Sequence, residues 1–281
     1  MIRRGPVYLE ARGEPASAET AQLERDGYAV IRDLFTGDEV AALRDEIAAV
    51  FARDPPDMRG RRGPEEMAMF RYAMLNRSAA AQRAIAHPRL LAVIEPLLGE
   101  DCHIIANTAW RNPAGHPGSH GGKNWHIDAG PHVPLPQGVR WPGDIPHPVF
   151  AIGAHLYLED CRLEDGPTGV IPGSHLSGRS PPPARLLDDD LAWEGRGVVP
   201  LLARAGDAAL FVSDVWHRRM PALDGEHGRF FLQAHYGRRD IAQRLLPTAE
   251  HNQLSAEAIA RATTDRERRV IGLHPAFFYD G

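Results

Sequence analysis

Lysine is almost absent from this sequence. Of 32 basic residues only Lys123 is a lysine, and the remainder are arginines. Arginine, alanine, glycine and proline are all abundant, so the shortage reads as a compositional bias. The single exception stands three residues before His126. Cysteine is scarce too: the two present, Cys102 and Cys161, exclude a disulfide framework. Long apolar runs are missing; the stretch 90–98 is interrupted by Glu95 and Pro96 and is too short to span a bilayer. The first ten residues are polar and basic, with no apolar core of signal-peptide length. Positive charge is not in excess either. A net charge of -5 argues against a nucleic-acid groove or a basic membrane patch. These absences leave an expected cytoplasmic protein with no nucleic-acid or membrane partner, either monomer or homodimer.

What is present suits a sizeable core. The chain has 281 residues, 43% of them hydrophobic, enough for one large domain. Residues 1–100 read as mostly helical after a loose leader at 1–18. Residues 20–26 form a short helix ended by Gly27, and 28–31 a short strand. Thr36 is placed to cap a helix over 38–52, with Glu39 in its first turn. Val40, Leu43, Ile47 and Val50 fall on one face of that helix. The Pro- and Arg-rich stretch 53–66 reads as a loop, and 78–98 as helix interrupted at His87-Pro88 and Pro96 and stopped at Gly99. The texture changes near residue 101. Strand-like runs at 102–111, 124–128, 149–158, 169–171, 198–202, 208–212 and 230–236 are separated by turn clusters. Many short strands without intervening helices predict a mainly β sandwich or jelly-roll over 101–240. The tail 241–281 reads as helical over 256–270 and ends in Phe277, Phe278 and Tyr279.

The chemistry centres on the run Asn124-Trp125-His126-Ile127-Asp128. In extended chain His126 and Asp128 project from the same side, so one imidazole and one carboxylate can share a metal ion. His217, after the apolar run 208–216, is the best candidate for a third ligand. Two histidines and one carboxylate leave adjacent positions open, the pattern of non-haem Fe(II) oxygenases. Arg229 follows twelve residues later at the start of another strand. A buried guanidinium there could grip the far carboxylate of a 2-oxo acid bidentately.

The chain resembles the phytanoyl-CoA dioxygenase (PhyH-like) family of Fe(II)- and 2-oxoglutarate-dependent oxygenases. The resemblance rests on the runs 23–31 (Leu-Glu-Arg-Asp-Gly-Tyr-Ala-Val-Ile) and 124–128. It also rests on 164–175 (Glu-Asp-Gly-Pro-Thr-Gly-Val-Ile-Pro-Gly-Ser-His), 206–217 and Arg229. It implies a double-stranded β-helix (jelly-roll, cupin-like) core with N-terminal helices packed outside, over one domain. It implies His126, Asp128 and His217 as iron ligands and Arg229 as the anchor of 2-oxoglutarate. Thr168 and Asn124 are implied as further contacts of that co-substrate, although the family often carries glutamine at position 124. Oxygen is the second co-substrate, and succinate and CO2 the co-products. Relatives that halogenate have a small residue at the carboxylate position, so Asp128 favours hydroxylation. His175 is usually structural in similar proteins.

Substrate contacts are expected from the Gly/Pro-rich flanks of the metal motif. Lys123, His132 and Arg140 there suggest a polar or anionic group on a small, natural-product or amino-acid-like substrate. His155 and Tyr157, or else their neighbours, face inward. Gln233 and His235 share the face of Arg229 by period two. Two other readings compete: a non-catalytic β-helix that binds a metal or ligand, and a cupin-type metal enzyme without a 2-oxo acid.

Overall fold

Side-chain alternation along the strands divides the molecule into a helix-covered face and an interior. The computed structural model describes residues 2–4, 9–11, 17–56, 68–115, 123–128, 130–243 and 254–275. In chain order the first elements are β1 (Ile2–Arg4), β2 (Leu9–Ala11), α1 (Ala18–Asp26), β3 (Tyr28–Ile31), α2 (Gly37–Arg53) and β4 (Phe70–Tyr72). Three helices follow, α3 (Met74–Arg77), α4 (Ala79–Ile85) and α5 (Pro88–Leu98). The strands β5 (His103–Pro113), β6 (Ala151–Tyr157), β7 (Thr168–Val170), β8 (Val199–Pro200), β9 (Ala208–Val212), β10 (His217–Arg219) and β11 (Gly228–Gly237) come next. The last elements are α6 (Ala256–Arg261) and α7 (Asp265–Val270).

Six strands form one antiparallel sheet in the order β3-β9-β6-β11-β5-β4, and three form a smaller one, β10-β7-β8. Even-numbered residues of β6, β9 and β11, such as Leu156, Leu210 and Leu232, pack outward against Leu43, Ile47, Leu91 and Ile94 of the helices. Each such fully buried aliphatic contributes on the order of 2 kcal/mol. Odd-numbered residues face the other way. Tyr157, Phe211 and Phe231 meet Val170, Leu201 and Ala203 between the two sheets. This is the two-sheet, helix-flanked architecture expected. Period two then places His155 beside Tyr157, and Arg229, Gln233 and His235 beside Phe231, on the interior face.

The helices begin and end where local chemistry directs. Thr36 and Glu39 form a reciprocal capping box at the start of α2. At the end of α1, Gly27 adopts φ +81°, and a Cβ there would lie 2.6 Å from His175 Nδ1. Glycine is thus required both by backbone and by neighbour. The Tyr236 hydroxyl donates to the Ile85 carbonyl at 2.7 Å and ties the sheet to the last turn of α4.

Several expectations need adjustment. Pro96 does not interrupt a helix: α5 runs through it and ends two residues later, giving up one backbone hydrogen bond. The tail is not one helix. It stops at Ala262 and restarts under a second capping box, Thr264 with Glu267. Residues 124–128 form no regular strand. They run extended, with His126 and His217 exchanging backbone hydrogen bonds of 3.0 Å and Asp128 N–H donating to Ser213 at 3.0 Å. β4 and β10 were not expected, being only three residues each. Most of the Pro- and Arg-rich stretch 53–66, part of the Gly/Pro-rich flank before the metal motif, and Phe277 to Tyr279 lie outside the described residues. No helix among the described residues is long and apolar enough to cross a membrane.

Candidate active site

The backbone pairing at residue 126 is what assembles the site. It sets the extended run 124–128 against β10, so His126, Asp128 and His217 offer donor atoms within 4.8 Å of one another. They are the one such cluster among the described residues. The two imidazoles are oriented alike. His126 Nδ1 lies 2.7 Å from the Asn124 carbonyl, and His217 Nδ1 lies 2.9 Å from the Val215 carbonyl. A carbonyl only accepts, so each Nδ1 carries a proton, and in the neutral form of each ring the lone pair is on Nε2. Those two Nε2 atoms lie 3.9 and 3.4 Å from Asp128 Oδ1, converging on one point.

A fourth group stands beside the carboxylate at ion-pair distance, outside hydrogen-bond geometry. His235 Nε2 approaches Asp128 Oδ2 at 2.9 Å, from β11 across the cavity. Period two from Arg229 had placed His235 on the right face but could not reveal this partner. Burial opposes ionisation of Asp128, yet His217 and His235 together hold its carboxyl well below the usual range. His217 is the reciprocal case: burial lowers it, but Asp128 outweighs burial and the net shift is upward. Burial and the neighbouring His217 depress His126.

The cluster opens into a cavity of about 210 Å3 that includes Trp110, His155, Thr168, Phe211, Arg219, Arg229, Phe231 and Gln233 among its walls. Arg229 is buried, reaches over the Phe231 ring, and donates from Nη2 to Asn112 Oδ1 at 3.1 Å. Its Nε is buried without a partner. Thr168 Oγ1 lies 3.3 Å from His155 Nδ1. Burial, then the Arg229 charge, push His155 well below its ordinary value and keep it neutral. Gln233 accepts a 2.6 Å hydrogen bond from the Trp110 indole, which fixes that wall. Arg219 also faces the cavity and went unremarked in the sequence, although the period-two spacing from His217 could have found it. Burial, then Arg229, lower its pKa to about 9. Burial raises the Cys161 thiol, and the Arg229 charge opposes that rise.

The other expected contacts lie elsewhere. Lys123 and Asn124 are exposed, and Asn124 serves the site through its carbonyl. His132 stacks on Phe150 and holds Asp214 at 2.8 Å. Arg140 pairs with Glu194 at 2.8 Å on the surface. None of the four lines the cavity around the cluster. Trp125 and Trp216 turn away from it into a small core with Ile171 and Leu191.

His175 has a structural position. It is buried and bonds the Glu24 carbonyl near the end of α1 at 3.1 Å. Burial lowers its pKa to about 4 from 6.5. The unfolded chain therefore takes up this proton first. Stability from this group is complete above about pH 6.5 and is lost as pH falls toward 4, at up to ~1.4 kcal/mol per pH unit. His175→Gln should flatten that part of the curve. Urea midpoints of the two proteins between pH 7 and 4.5 check this, and parallel declines would contradict it.

Two imidazoles and one carboxylate with convergent donor atoms, seated between two antiparallel sheets beside a buried arginine, give a cupin-like fold with one cluster that could hold a metal ion. The comparisons give the family: the phytanoyl-CoA dioxygenase (PhyH) model matches residues 23–219, and the chain belongs to that family. It is 31% identical over 183 residues to the ectoine dioxygenase of Halomonas elongata, covering 62% of this chain and 50% of that one. It is 26% identical over 203 residues to the dioxygenase andF of Emericella variicolor, covering 67% of this chain and 60% of that one. The chain thus spans about half the length of the curated relatives it matches. Among solved structures, HygX from Streptomyces hygroscopicus with nickel and 2-oxoglutarate bound matches with TM-score 0.61 at 19% identity, over 86% of this chain and 96% of that one. EctD from S. alaskensis with 2-oxoglutarate and 5-hydroxyectoine matches with TM-score 0.60 at 22% identity, over 84% and 81%. At these identities the structural likeness establishes the fold.

Proposed function

We propose that this protein is an Fe(II)- and 2-oxoglutarate-dependent oxygenase, most simply a hydroxylase, acting on a small molecule. The observation that carries this reading is one cavity lined by three convergent donor atoms and by the buried Arg229, whose Nε has no partner. The donor set fits iron. Two imidazoles whose Nδ1–H groups are held by carbonyls, leaving Nε2 to ligate, and one carboxylate held ionised suit a borderline divalent ion that keeps open positions.

His126, Asp128 and His217 would hold the metal, and His235 would keep the Asp128 carboxylate turned toward it. Arg229, steadied by Asn112, would bind the far carboxylate of 2-oxoglutarate. Thr168 is placed to support the same molecule and His155 to meet the substrate side. Phe211, Phe231 and Trp110 exclude water from the cavity walls. Iron with 2-oxoglutarate and O2 supplies oxidation of a substrate C–H bond coupled to decarboxylation of the 2-oxo acid to succinate and CO2.

The substrate reading stays at a compact small molecule of natural-product or amino-acid-like type. The relatives' names support it, since ectoine is the molecule named for the dioxygenase of H. elongata. The test is succinate formation from 2-oxoglutarate by the purified protein with Fe(II). Expected is succinate release in air, none without oxygen, and none when zinc replaces iron. Succinate at equal rates with zinc would contradict the reading.

A further inference from the structure

Arg219 is unexplained by the roles above. It lies on β10, two residues beyond His217 and directly across the strand pair from Thr168. It therefore shares the cavity-facing side with His217, displaced along the strand by about 6.6 Å. The residue is 7% exposed, and its Nε and Nη1 are buried without a partner. Arg229 Nε, on the opposite sheet, is in the same condition.

Nearby acids do not answer these donors. Glu226 accepts from the Gly115 and Gly228 backbone N–H groups, and Asp165 from Arg162 and the His227 N–H. Within the cavity wall the one acid is Asp128, which belongs to the metal end. Two buried guanidiniums without an anion form an expensive arrangement that a bound anion relieves. A carboxylate has lone pairs enough to accept from two arginine forks at once.

We infer that Arg219 and Arg229 close from opposite sheets on the terminal carboxylate of a 2-oxo dicarboxylate, and that Arg219 selects against 2-oxo acids lacking that group. The inference rests on the oxygenase reading, and it assigns Arg219 a role in choosing the co-substrate.

The test is calorimetric titration of Ni(II)-loaded protein, without turnover, using 2-oxoglutarate and 2-oxobutyrate, which lacks the second carboxylate. Wild type should prefer 2-oxoglutarate strongly. Arg219→Gln should raise its Kd about 30-fold or more, the effect of removing one partner of a buried charge pair, and leave 2-oxobutyrate within about two-fold. Arg219→Lys should fall between, since it keeps charge but loses the fork. The metal-free Arg219→Gln protein should melt no lower than wild type, because an uncompensated buried cation is gone. A variant that fails to fold would therefore contradict the inference. An unchanged 2-oxoglutarate Kd would overturn the role of Arg219 alone. If wild type with metal binds no 2-oxoglutarate, the oxygenase reading falls as well.

Discussion

Asp128→Ala is expected to abolish 2-oxoglutarate-dependent succinate formation while leaving the protein folded. The side chain is partly open to the cavity, so its loss empties no core position. Its chemical role is larger than its packing. Among the described residues Asp128 is the one acid that shares the cavity wall with His126 and His217, and removing it leaves two imidazoles to hold a divalent ion. Loss of an outer-shell partner alone costs about 10–100-fold in metal affinity or activity. A direct ligand should cost more, so we expect a fall of over about 100-fold in both. His235→Gln, which removes only the group behind the carboxylate, belongs within the outer-shell range. Metal content after dialysis and succinate yield check the pair. Normal turnover by Asp128→Ala would remove it from the ligand set.

Arg229→Ala is the second large effect. Its guanidinium is 4% exposed, and Asn112 holds one end in place. With 2-oxoglutarate bound, truncation would leave a carboxylate facing a partly apolar wall that includes Phe231. Breaking such a buried pair costs about 2–5 kcal/mol, or roughly 30- to several-thousand-fold in Kd. The 2-oxoglutarate requirement should rise by that factor. Succinate formation at saturating co-substrate should fall much less, since the metal ligands remain. Arg229→Lys should recover part of the affinity, because an ammonium supplies charge without the planar fork. A saturation curve for each variant separates these outcomes, and an unchanged requirement for Arg229→Ala would take it out of the site.

Much of this arrangement was legible in the sequence because the relevant patterns are local. Thr36 and Glu39 announced α2 by spacing, and β9 was bounded by the turn at Gly206 and the polar Ser213-Asp214. His126 and Asp128 were legible because a period of two leaves only one face for both. What remained hidden depends on pairing across the fold. Alternation in residues 149–158 could not say whether His155 or Leu156 faces inward; packing of Leu156 on the helices decides it. The contact of His235 with Asp128 joins residues 107 positions apart, through a register that no local pattern encodes. The role of Arg219 is not legible locally, because only its pairing with Thr168 places it beside the cavity. Arg218 also borders the cavity but is engaged by the Trp125 ring and Asp189, while Arg219 has no such partner. Lys123 and Arg140 drew attention by charge and proximity in sequence, but charge in a loop is satisfied as readily by solvent or by Glu194.

The central claim is that iron at His126, Asp128 and His217 shares one cavity with a 2-oxo acid held by Arg229. Anaerobic addition of 2-oxoglutarate to the Fe(II)-loaded protein tests it most directly. Chelation of the metal by the 2-oxo acid should produce a weak visible charge-transfer band that saturates at one equivalent, is lost in His217→Ala, and needs much more 2-oxoglutarate in Arg229→Ala. An Fe(II)-loaded protein that shows no band at any 2-oxoglutarate concentration, or a band that His217→Ala retains, would contradict it.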